Sequence, residues 1–105
     1  MKVIKRDGRA VDYDRQKIEV AIGKANNEVP VKERASKQEI KEIIKYIESL
    51  SKKRMLVEDI QDIIEQKLME FNKYVLAKEY IVYRYTRALV RKQNKTDEWS
   101  GQAPQ

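Results

Sequence analysis

Each helix-forming stretch of this chain carries one narrow apolar stripe and no second one. Ile40, Ile43, Ile44, Ile47 and Leu50 make the clearest stripe, and Ile18, Ala21, Ile22 and Ala25 repeat the spacing earlier. Ile60, Ile63, Ile64 and Leu68 form a third. Leu76, Ala77, Tyr80, Ile81, Tyr83 and Ala88 supply the apolar side of a fourth. A helix with a single apolar face is stable only when that face is covered, and four such faces close on one another as a bundle. With 41% hydrophobic and 38% charged residues in a length of 105, the core is small and belongs to one domain.

The punctuation between the stripes is consistent with this reading. Asp14 is a good N-cap for a helix over residues 15–25, which Asn26, Asn27 and Pro30 end. Ser36-Lys37-Gln38-Glu39 is a capping box and opens the second helix, which Ser51-Lys52-Lys53 breaks. The third helix is predicted over residues 58–71 and the fourth, past Asn72, over residues 73–92.

Ahead of the helices, residues 2–6 and 9–13 read as two strands around Asp7-Gly8, a dipeptide suited to a two-residue type I′ turn. That turn would pair Ile4 with Val11 and Lys5 with Ala10. It would send Ile4, Val11 and Tyr13 toward a core and leave Val3 and Lys5 on the other face. Arg54-Met55-Leu56-Val57 is apolar and lies between helices, so it reads as a short third strand. The expected fold class is α+β, a four-helix bundle capped by a small three-stranded β-sheet. Residues 1–92 form the domain, and residues 93–105 read as a linker or disordered tail.

The chain has no cysteine and no histidine. Disulfides and thiolate chemistry are excluded within it, and a zinc site or a Ser-His nucleophile would need unusual substitutes. No catalytic residue and no protein-only metal site is expected. No apolar run approaches the length that crosses a bilayer, and no apolar stretch follows the charges of the first five residues as in a signal peptide. A cytoplasmic location without membrane contact is the expectation.

The net charge of +6 is unevenly placed. Residues 1–24 hold seven Lys/Arg against four acids, residues 25–83 balance, and residues 84–95 hold five cations and no acid. If folding joins the two basic segments, they make one anion site. Lys5-Arg6-Asp7-Gly8 presents two cations beside strand N–H groups, which suits phosphate, although a solvated turn has the same composition. Lys17 stands at the positive end of the first helix, where a cation is disfavoured unless an anion is present; alone it is an ordinary surface lysine. Arg84, Arg87 and Arg91 share one helix face with no acid among them. They fit a phosphate, an acidic protein or nucleic acid, or merely a solvated helix end. Tyr80, Tyr83 and Tyr85 suit base stacking, yet at this spacing Tyr80 and Tyr83 fit a core better. Walker A and Rossmann glycine patterns are absent.

Three ordered blocks together resemble one family. Val3-Ile4-Lys5-Arg6-Asp7-Gly8 with Tyr13-Asp14-Arg15-Gln16-Lys17-Ile18 and Ala21-Ile22 resembles the opening of an ATP-cone domain. Val57-Glu58-Asp59-Ile60-Gln61-Asp62 is similar to that family's third helix, and Ala77-Lys78-Glu79-Tyr80-Ile81-Val82-Tyr83-Arg84 to its last. Residues 91–98 resemble the junction into a ribonucleotide reductase catalytic subunit, most closely of the anaerobic class; residues 99–105 do not resemble that continuation.

The resemblance implies a regulatory domain rather than an enzyme. It implies allosteric binding of ATP or dATP, with Mg2+ accompanying the triphosphate, and control of a reductase's catalytic domain through self-association or another change of oligomeric state. By the same resemblance Lys5 and Arg6 match a phosphate-contacting pair, Lys17 a further phosphate or sugar contact, and Val3 and Ile18 positions lining the nucleotide. Asp14 stands where some relatives have Asn beside the ribose. Val57, Ile60 and Gln61 match the base pocket, Arg87 a phosphate ligand, and Tyr83 with Arg84 a late Tyr-Arg pair. Val11 stands where some reductase cones have a ligand-contacting carboxylate, which valine cannot replace. The rival reading is a nucleic-acid-binding module using Arg84, Arg87 and Arg91. Related cones in bacterial repressors follow a cysteine zinc ribbon, for which this chain has no cysteine, so nucleic acid is not the expected partner.

Overall fold

The computed structural model describes residues 1–100, with side chains for residues 1–90. In order, the elements are β1 (Lys2–Ile4), β2 (Ala10–Asp12), α1 (Arg15–Asn26), α2 (Lys37–Ser49), β3 (Arg54–Leu56), α3 (Val57–Glu70) and α4 (Tyr74–Ser100), with a 3-10 turn over Val31–Glu33 before α2. The expected α+β class holds, with four helices and one three-stranded sheet.

Local chemistry sets most boundaries. The Asp14 side chain accepts from the Gln16 N–H at 3.0 Å. The capping box closes both ways: Glu39 N–H donates to Ser36 Oγ at 3.1 Å, and Ser36 N–H donates to Glu39 Oε1 at 2.8 Å. At the end of α3, Asn72 takes the left-handed conformation at φ 62. Its N–H reaches the Met69 carbonyl and that of Lys73 reaches the Leu68 carbonyl, both at 2.9 Å, a Schellman ending. The last helix passes the expected stop at Lys92 and runs to Ser100, because neither glycine nor proline interrupts it before Gly101. Of the expected tail, residues 101–105 lie outside the described residues.

The bundle closes in a ring, with α1 on α2, α2 on α3, α3 on α4 and α4 back on α1. Ile22, Ile43, Ile47, Ile64, Leu68, Leu76 and Tyr80 are its largest fully buried side chains. Each buried aliphatic group of this size contributes roughly 1.5–3 kcal/mol over its exposed state. Val3 and Met55 seat the sheet on this core.

The sheet has the order β2-β1-β3, with β1 antiparallel to β2 and parallel to β3. The hairpin register corrects the expectation. Val3, not Ile4, lies opposite Val11, and Ile4 opposes Ala10. The cause is the turn. Gly8 N–H donates to the Lys5 carbonyl at 2.9 Å, Lys5 N–H donates to the Arg9 carbonyl at 2.8 Å, and within the turn only Gly8 has positive φ, at 91. Arg6-Asp7-Gly8 is thus a three-residue loop, a type I turn followed by a left-handed glycine. The one-residue slip reverses the face of β1 alone. Val3 joins Val11 and Tyr13 on the core side, and Lys5 shares that side.

Candidate functional site

Beneath the hairpin, between the sheet and helices α1, α3 and α4, lies a narrow pocket of about 100 Å3. Its walls are mostly apolar: Val3, Val11, Ile18, Val57, Ile60 and Ile64. Lys5 and Lys17 stand at its edge with Asp14, and Gln61 reaches into it from α3. A second, open depression of about 330 Å3 shares Asp14, Lys17 and Ala21 with the pocket and continues along α1 and α4 to Lys24, Tyr83 and Arg87. The inner pocket alone is well below the ~300–1,000 Å3 of ordinary small-molecule sites, so a ligand of that size must span both.

A larger depression, about 790 Å3, shares Tyr13 and Asp14 with the pocket and extends away from it around Lys2, Arg15, Glu48 and Lys53. It is an open groove lined also by Lys52, and three of its charged side chains are held in ion pairs. Lys2 Nζ lies 2.5 Å from Asp12, while Glu48 receives Arg15 at 2.6 Å and the Tyr13 hydroxyl at 2.8 Å. Volume alone does not make it the site.

Beside the pocket runs an ion-pair chain. Arg6 at the hairpin tip pairs with Glu58 in the first turn of α3, and Glu58 also pairs with Arg84 of α4. Arg84 reaches Glu65 at 2.5 Å and Asp62 at 3.6 Å as well, with its side chain only 19% exposed. Burial by itself would lower the Arg84 pKa, but hydrogen bonds to Glu65 and Glu58 outweigh it and raise it. Burial likewise would raise Glu58, yet its bonds to Arg84 and Arg6 hold its carboxyl below the usual range.

A family model described as the ATP cone domain matches residues 1–89. The chain belongs to the ATP-cone family. It is 35% identical, over 99% of its length, to the ribonucleoside-diphosphate reductase subunit alpha of Chlamydia muridarum, and 33% identical over 92% to that of Chlamydia trachomatis. It is 34% identical over 86% to the vitamin B12-dependent ribonucleoside-diphosphate reductase of Mycobacterium tuberculosis. The chain spans 10–12% of the length of these relatives. None of these three names gives the anaerobic class that residues 91–98 suggest.

In this cone the residues singled out in the sequence fall into three groups. Val3, Lys5, Asp14, Lys17, Ile18, Val57, Ile60 and Gln61 all line the inner pocket. Tyr83 and Arg87 line the adjoining depression with Asp14 and Lys17. Arg6 and Arg84 line neither and meet at Glu58.

The arginine stripe therefore needs a correction. Its apparent lack of acids held only within α4, because α3 packs alongside and supplies Glu58, Asp62 and Glu65 to Arg84. Arg87 is exposed, and the Arg91 side chain lies outside the described residues. Tyr80 is core, at 1% exposure, whereas Tyr85 is 65% exposed.

Sequence reasoning missed Glu58 as the organiser of Arg6 and Arg84, and it missed Ala21, Lys24 and Ile64 as lining residues. Helical spacing carried a signal for those three: Ala21 follows Ile18 by three, Lys24 follows Lys17 by seven and Ile64 follows Ile60 by four. No local pattern pointed to Glu58. Among the described residues, no group of three His, Cys, Asp or Glu side chains is placed to hold a metal ion, and no helix is long and apolar enough to cross a membrane.

Proposed function

We propose that this domain binds an adenine nucleotide, ATP or dATP, across the inner pocket and the adjoining depression, and performs no chemistry on it. The observation that carries this is the meeting of a narrow apolar slot with cations from three separate elements. Lys5 comes from the hairpin, Lys17 from α1 and Arg87 from α4. A planar base suits the slot between Val3, Ile18, Val57 and Ile60, with Gln61 for its polar edge. The phosphates then run past Lys5 and Lys17 toward Arg87, and any Mg2+ arrives on phosphate oxygens and water.

Two of the relatives are reductase alpha subunits and the third is a B12-dependent reductase, so the proposed role is regulatory. Nucleotide occupancy of the cone would set the activity of an attached ribonucleotide reductase catalytic domain through its oligomeric state, in the cytoplasm. Titration calorimetry with ATP and then dATP, paired with light scattering, tests both steps. Saturable binding is expected, together with a rise in melting temperature that grows with ligand excess. No heat from either nucleotide at millimolar concentration overturns the reading.

A further inference from the structure

Tyr80 is 1% exposed and its hydroxyl donates to Gln61 Oε1, joining α4 to α3 at the floor of the pocket. A buried phenol needs a partner for its proton, and this is the one the described residues give it. Burial raises the Tyr80 pKa well above its usual value, so the hydroxyl keeps that proton and remains a donor. The Gln61 side chain is half-buried, and among the described residues no hydrogen bond occupies its Nε2.

A free glutamine amide is nearly indifferent to a half-turn about its last bond. Tyr80 removes that indifference. A flipped amide would point N–H groups at the hydroxyl and leave the buried phenol proton without an acceptor. We infer that Tyr80 is a positioning residue that fixes the Gln61 amide with Nε2 toward the pocket, and thereby decides which purine edge the site accepts.

The inference rests on the nucleotide reading above and adds the base discrimination. Nε2 offers donors, and Oε1 keeps one lone pair after accepting from Tyr80. That combination matches an acceptor beside a donor, as adenine presents at N1 and its 6-amino group. Hypoxanthine has nearly the same shape with the two reversed, a protonated N1 beside a carbonyl. In one pose it would set donor against donor and acceptor against acceptor.

The test is calorimetry of the whole chain with ATP and with ITP, for wild type and Tyr80→Phe. Wild type is expected to bind ATP about tenfold more tightly than ITP, the worth of roughly one net hydrogen bond. Tyr80→Phe frees the amide to turn, so the ratio falls toward one while ITP binds no more weakly than before. Merely loosening the core would instead weaken both ligands together. A ratio unchanged by Tyr80→Phe, or a wild type that binds both equally, overturns the inference and leaves nucleotide binding intact. A wild type that binds neither overturns the nucleotide reading itself.

If circular dichroism shows Tyr80→Phe unfolded, NMR of the wild type with ATP takes its place. Cross-peaks from the Gln61 Nε2 protons to the adenine ring and none to the Tyr80 ring support the inference, and cross-peaks from those protons to the Tyr80 ring refute it.

Discussion

Arg6 at the tip of the hairpin and Arg84 in the middle of α4 are held by the two oxygens of one carboxylate, that of Glu58. The hairpin, α3 and α4 are thus tied together beside the pocket by a side chain that lines no part of it. Arg6 is also one of the two hairpin cations that the family resemblance offers to phosphate. In this structure a protein anion has it.

Glu58→Gln should therefore separate affinity from stability. The neutral amide releases Arg6 for phosphate, so ATP affinity is expected to rise severalfold. Glu58 is 41% exposed, so its pair with Arg6 is worth about 1 kcal/mol at most, while Arg84 keeps Glu65 as a charged partner. For a domain this small a loss of that size is a Tm shift of roughly 4–8 °C. Calorimetric titration and thermal melts read the two effects independently; weaker ATP binding in Glu58→Gln would mean that Arg6 does not compete between the carboxylate and the ligand.

The same carboxylate sets a pH dependence on the acid side. Its folded pKa lies below the ordinary value of 4.5, so the folded state binds the proton less readily than the unfolded chain does. Its stabilisation is complete above that value and is lost as the pH falls through the lower folded pKa. Asp12, lowered by its bond to Lys2, moves the same way but is fully exposed and adds little. Melting temperature followed from pH 7 to pH 3 should drop below about pH 4.5. The drop should be shallower in Glu58→Gln; identical curves would place the acid sensitivity elsewhere.

The hairpin tip and Arg84 also mark where the sequence stops being readable. Helix stripes, the Asp14 cap, the Ser36 capping box and the Asn72 ending could be read because each is decided within a few residues of chain. The hairpin face was misread for a local reason: Asp7-Gly8 fits two kinds of turn, and the choice between them shifts the register by one. The Arg84 environment was hidden for a different reason. Its three acids sit on another helix, and only packing reveals that the acidic face of α3 meets α4. The pocket walls were legible through family likeness more than through spacing, since Val3, Ile18 and Ile60 look like any core residues until the sheet is laid over them.

Gly8 makes the turn testable. Its φ of 91 is a conformation that side chains rarely adopt, while no atom lies within 4 Å of where a Cβ would stand. Gly8→Ala then costs backbone strain alone, about 1 kcal/mol. Gly8→Asn, which tolerates the left-handed region better, should cost less. Chemical denaturation of both variants measures the difference. Equal losses would contradict the three-residue loop, because steric crowding is absent at this position.

Arg87 distinguishes a nucleotide lying across both depressions from one confined to the inner pocket. It lines only the outer depression, whereas Lys17 borders both. With the base in the apolar slot as proposed, the α-phosphate would lie near Lys17 and the later phosphates would approach Arg87. Arg87→Met keeps the length and apolar stem of the side chain and removes its charge. A charged hydrogen bond is worth roughly 1.5–3 kcal/mol, and the exposure of Arg87 places it at the low end, about tenfold in affinity. ATP should thus bind about tenfold more weakly to Arg87→Met, while AMP, too short to reach, changes less than about twofold. Lys17→Met should weaken both. If Arg87→Met affects AMP and ATP alike, the phosphates do not run along α4 and the ligand lies the other way round.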